Sequence, residues 1–152
     1  MFGSIAVEQW IYSQQAADAE VVAFVGDEIH IPYAPQDAGS PFLVAYRVDA
    51  KDETPMGPDA DVAAERLQYV VALVAEGNDK RILLRPGRAM HLALQGQSGQ
   101  LTVNDDQGDP FATYWVVGER VGELPNDEIA MPEDGIDRVT LGGLYEFDVT
   151  GA

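Results

Sequence analysis

Cysteine is absent from this chain, and histidine occurs only twice. The first absence excludes a disulfide framework and a thiolate nucleophile, and makes a cytoplasm the expected site of folding. With only His30 and His91, a histidine-rich metal centre is excluded as well. Positive charge is scarce: 9 basic residues stand against 26 acidic ones, for a net charge of −17. Wrapping nucleic acid needs clustered Lys and Arg to neutralise phosphates, so that function class falls away. No apolar run approaches the ~18–20 residues that cross a bilayer, so no membrane partner is expected. MFGSIAVEQW lacks a basic segment followed by an apolar one, and no signal peptide is expected from it.

The usual catalytic spacings are missing too. There is no GxxxxGK[ST] phosphate loop, no HExxH and no GxSxG elbow; the nearest serine context, GQSGQ, has the wrong spacing. NDDQGDP invites a calcium reading. With Gly108 as the invariant loop glycine, the first ligand position falls on Val103 and the last on Tyr114, so the match fails and a hairpin turn is expected. With 26 carboxylates some pair will always lie close, and none is singled out. No catalytic residue, cofactor or metal is assigned, and the chain is not expected to be an enzyme.

What is present suits one compact domain over residues 1–152, with hydrophobic residues at 46%. Ser4 is the expected cap of a helix through IAVEQWIYSQQAA, with Ala6, Trp10 and Ala17 on one stripe beside Val7 and Ile11, and Trp10 as core anchor. Asp18 is expected to cap a second short helix, AEVVAFV, closed by Gly26. A short strand at Ile29–Ile31 ends at Pro32 and Pro35, with His30 facing solvent. PFLVAYRVD reads as a strand with Phe42, Val44, Tyr46 and Val48 on one face and Arg47 and Asp49 on the other.

Residues 50–61, AKDETPMGPDAD, read as a projecting acidic loop. Arg66–Ala75 reads as a long strand partly buried on both faces. DKRILLRPGRAMHLALQGQ has helical character interrupted by Pro86, which is expected to open a second short helix with Met90, Ala93 and Leu94 facing the core. His91 is expected there as a hydrogen-bonded structural histidine. QLTVND and FATYWVVGERV read as strands, and residues 123–135 as a long acidic loop.

The last stretch, RVTLGGLYEFDVTG, has two adjacent glycines inside a strand pattern. Val139, Leu141, Gly143, Tyr145, Phe147 and Val149 keep one parity throughout, so one continuous strand is expected, with a bend, a bulge or a close backbone approach at the glycines. With no internal repeat, the whole reads as an α+β domain: a mixed, mainly antiparallel sheet packed by two or three helices. Lys80, Arg81, Arg85 and Arg88 hold four of the nine positive charges. Two readings stay open for them: a solvated helix face, or a cationic patch that meets an acidic patch on a neighbouring copy.

The order of EQWIYSQQAADAEVVAFVGDEIHIPYAPQ, PFLVAYRVDA, DVAAERLQYVVALVAEG and RVTLGGLYEFDV resembles the tail-terminator (tail-completion) proteins of long-tailed bacteriophages and prophages. The resemblance spans most of the chain and rests on the order of the segments. It implies a ring-forming subunit, a hexamer at the head-proximal end of the tail tube, which ends tube polymerisation and docks to the head or neck connector. The implied partners are other copies, the tail tube protein and the connector, with DNA passing through the lumen without specific binding. The implied location is the virion neck, after synthesis in the host cytoplasm. Expected interface residues are Asp52, Glu53, Met56 and Asp59, the basic Lys80, Arg81, Arg85 and Arg88, and Asp127 and Glu128. The alternatives are another minor tail, neck or baseplate component, and, from different classes, a small carboxylate-dependent hydrolase or an acidic DNA-mimic binding module.

Overall fold

The computed structural model describes residues 3–35, 37–53, 64–123 and 135–151. Helix α1 (Gly3–Ala16) begins one residue before the expected cap. Ser4 lies inside it, and the cap comes from elsewhere: the Gly3 N–H donates to the Glu65 carboxylate at 3.4 Å. A carboxylate at a helix N-terminus satisfies a free N–H and opposes the positive end of the helix dipole. Ala17 falls beyond the helix end and is exposed; the fully buried Gln15 takes the stripe position, its side-chain amide donating to the Met90 carbonyl at 3.1 Å. Helix α2 (Ala19–Val25) is bounded as expected. Asp18 accepts from the N–H groups of Glu20 and Val21, and Gly26, at φ 63°, donates back to Val22.

Six strands follow: β1 (Ile29–His30), β2 (Phe42–Glu53), β3 (Ala64–Glu76), β4 (Ser98–Asn104), β5 (Pro110–Glu123) and β6 (Arg138–Gly151). They form one sheet in the order β1-β2-β3-β6-β5-β4. The β1–β2 pairing is parallel and the others are antiparallel. Between β3 and β4 lie a 3-10 turn (Lys80–Leu83) and helix α3 (Leu84–Leu92). Pro86 sits in the first turn of α3, where its missing N–H costs no helical bond, so two short helical pieces meet there as expected. Met90 and Leu94 are buried, while Ala93 is only half-buried at the helix end. The fold is α+β, with a mixed, mainly antiparallel sheet and three helices.

The helices lie on one face of the sheet. Trp10 is 4% exposed and meets Phe147 edge-on at 5.9 Å; Tyr69 meets the same ring at 5.9 Å. Leu43 and Ala45 of β2 join this core. The residues expected to share the other face, Phe42 and Val44, pack with Val74 in a smaller cluster closed by Ala34 and Ala38, so the start of β2 is buried on both sides. Val48 is exposed and is the extra residue of a bulge between Arg47 and Asp49. β2 then runs further than expected. Residues 50–53, read as loop, pair with Ala64–Leu67, because a ladder partner outweighs the low strand preference of Asp and Lys. The rest of that loop lies outside the described residues. β3 extends the expected strand by a residue or two at each end.

β6 is continuous, with the expected parity. Tyr145, Phe147 and Val149 are buried beneath the helices, with Val139 and Leu141 packed beside them. Its two glycines answer two separate crowding problems. A Cβ at Gly142 would run into the Val71 carbonyl oxygen and stand 2.6 Å from the Ala72 Cα; one at Gly143 would stand 2.8 Å from Arg120 Nε. Gly142 lets two strand backbones close, and Gly143 leaves room for an arginine laid across the strand. Gly142→Ala should therefore lower stability by about 3 kcal/mol in urea denaturation, since backbone cannot yield as a flexible side chain does. Gly99→Ala, whose Cβ would only touch Trp10 Nε1 at 3.4 Å, should change it far less.

Candidate interaction surface

The basic segment is exposed on the 3-10 turn and α3: Lys80, Arg81, Arg85 and Arg88 all face solvent. Their charges are not equivalent. Arg81 is held in a fork by Asp79, Nε to Oδ1 and Nη2 to Oδ2, both at 2.9 Å. That contact holds the Asp79 carboxyl below its usual range and raises the guanidinium above its own. Arg81 thus also ties down the turn, while Lys80, Arg85 and Arg88 stand exposed beside it.

Asp52 and Glu53 fall on the distal arm of β2, not in a loop, opposite Glu65 and Ala64. Met56, Asp59, Asp127 and Glu128 lie outside the described residues. The strand order does not bring Asp52 and Glu53 beside the basic segment. α3 packs against the start of β6, where a Cβ at Gly87 would strike Leu141. The Asp52–Glu53 arm lies by the end of β6, where Glu65 pairs with Val149. At ~3.3 Å per residue, roughly 25 Å of strand separates them. The β4–β5 hairpin projects from the same distal end, since Tyr114 already pairs with Gly151. It carries exposed Asp105, Asp106 and Asp109. Asp105 Oδ1 accepts from the N–H groups of Gln107 and Asp109, both at 2.9 Å, so this is the expected hairpin turn. Among the described residues no group of three or more potential ligands could hold a metal ion.

The sheet face away from the helices is polar at the distal end of β3 and β6, while Val70, Ala72 and Val74 further along β3 are buried on it. Arg66 Nε reaches Asp148 at 2.9 Å and Glu146 at 3.3 Å, and the Gln68 amide donates to Glu146 at 3.2 Å. Towards the β4 edge the face turns apolar. Phe111, Trp115 and Val117 on β5 are 57%, 47% and 45% exposed.

Two polar clusters were not legible in the sequence. In the first, His91 Nδ1 meets the Tyr145 hydroxyl at 2.9 Å, which bears out the structural histidine. Burial and the nearby Arg120 push His91 below its ordinary value. Burial pushes the Tyr145 phenol up to about 12, so its hydroxyl stays protonated as a fixed hydrogen-bonding group. Arg120 is anchored beside them by its N–H, which donates to Gln95 at 2.7 Å. In the second, the Tyr69 hydroxyl lies 3.5 Å from the Ser4 carbonyl and hydrogen-bonds Glu8, with Glu65 and Arg47 around it. His30, expected in solvent, is half-buried: it pairs with Glu28 at 2.6 Å and stacks edge-on with Phe42. A lone alternating residue carries no signal for such partners two positions away in the strand and across a loop.

No protein-family model matches this chain, and no curated protein matches it.

Glu8 yields a pH test. Burial raises its carboxyl above the ordinary value of 4.5, against the lowering effects of Tyr69 and Arg47. The folded state thus binds this proton more tightly than the unfolded state. The contribution is fully present below the unfolded value and is lost as pH rises through the folded one. In urea titrations from about pH 4 to about pH 7, wild type should lose stability relative to Glu8→Gln, and the difference should level off above the folded value.

Proposed function

We propose that this chain is a structural subunit of a phage tail, a terminator that forms a ring at the head-proximal end of the tail tube. The observation that carries the reading is the placement of exposed charge. Arg85 and Arg88 stand at one end of the strands, and Asp105, Asp106 and Asp109 at the other. Groups that far apart cannot neutralise one another within one copy. They can do so between copies arranged head to tail, and such a contact repeats into a ring when its rotation closes. The partly apolar sheet face adds surface that a protein neighbour could cover. The order of segments that resembles tail terminators supplies the biological setting.

The mechanism in this reading is steric and interfacial. A ring of copies, six by the resemblance, caps the last ring of tube protein and leaves no site for another to add. Its opposite face meets the neck connector. A chain of net charge −17 repels the phosphate backbone of passing DNA and would not retain it.

Electron microscopy of tails carrying a label at the C-terminus of this chain tests the reading. Label at the head-proximal end of the tube is expected. Label at the distal end would move the chain to a baseplate role, and particles without label would remove it from the virion.

A further inference from the structure

We propose that the free edge of β4 is an interface between copies of this chain. Among the described residues β4 ends the sheet and pairs with β5 alone. A free edge presents unpaired N–H and C=O groups that accept another strand, and proteins commonly guard such edges with charges, prolines or bulges. The outer edge of β2 is partly covered and interrupted: β1 pairs with Leu43 and Val44, and beyond them come the charged, exposed Arg47 and a bulge. The β4 edge is not. SGQLTVN contains no charge and no proline, and its one irregularity falls at the last pair of residues.

Charge selects the occupant. Charged residues make up 23% of the chain, yet residues 95–104 and 110–118 hold none. The pairing register lays these two segments side by side. They form a neutral strip on a protein of net charge −17, where a second copy can approach with the least like-charge repulsion. Trp115 and Val117 lie one strand in from the edge, exposed on the helix-free face and opposite Gln100 and Ser98. A strand added along β4 would overhang them and reduce the apolar area left in water. α1 covers only the other face, where Trp10 Nε1 comes within reach of a Cβ at Gly99.

This interface shares with the proposed function the supposition that copies associate, but not the tail setting. Sedimentation velocity of the full chain, from about 1 to about 100 µM, should show concentration-dependent assembly. The double variant Ser98→Glu, Gln100→Glu places new acids at exposed positions on the strand and should weaken assembly about tenfold or more, with an unchanged circular dichroism spectrum. Deuterium exchange gives an independent reading: β4 amides of the wild type should gain protection as concentration rises. Unaltered assembly in the folded variant, with β4 exchange independent of concentration, would overturn the interface and leave another route to a ring. A wild-type chain that stays monomeric would overturn it too, while ring formation on an existing tube would still stand.

Discussion

The β3–β6 ladder is the contact on which the rest of the molecule leans. It runs without a register break from Glu65↔Val149 to Glu76↔Arg138 and sits at the centre of the sheet. β2 hangs on one side of it and β5 on the other, and the aromatic core of Trp10, Tyr69 and Phe147 stands on its helix-facing side. Gly142 is what lets the two backbones close at Val71 and Ala72. Even the start of α1 depends on this ladder, since its N-terminal amide is satisfied by Glu65 of β3 and its second turn is tied to Tyr69.

Legibility in the sequence followed the range of the forces. Asp18 and Gly26 bound α2 through hydrogen bonds spanning a few residues, and such local chemistry can be read from the chain. The phase of β6 was equally plain, because a strand with one buried face keeps period two across glycines. The errors came where a distant partner decided. Glu65, sixty-two positions from the Gly3 N–H it accepts from, took the cap expected of Ser4. Residues 50–53 became strand because β3 supplied the ladder. His30 found Glu28 and Phe42 instead of water. The basic cluster was visible as composition, but the fork between Arg81 and Asp79 needed the turn geometry, and the distance to Asp52 and Glu53 needed the sheet order.

Surface chemistry and topology divide this chain into a helix-packed side and an open side. Helices shield one sheet face completely enough to bury Tyr69, Tyr145 and Phe147. The other face keeps exposed apolar groups beside a neutral edge, while Arg85 and Arg88 lie far along the strands from Asp105, Asp106 and Asp109. Stability alone demands neither the separation of charge nor the unguarded edge. Both are features that a neighbouring protein would use.

The most direct measurement polymerises purified tail tube protein with and without this chain and follows tube length and end structure by cryo-electron microscopy. Shorter tubes are expected, each closed at one end by a ring of this chain. Tubes of unchanged length with bare ends would contradict the proposed function.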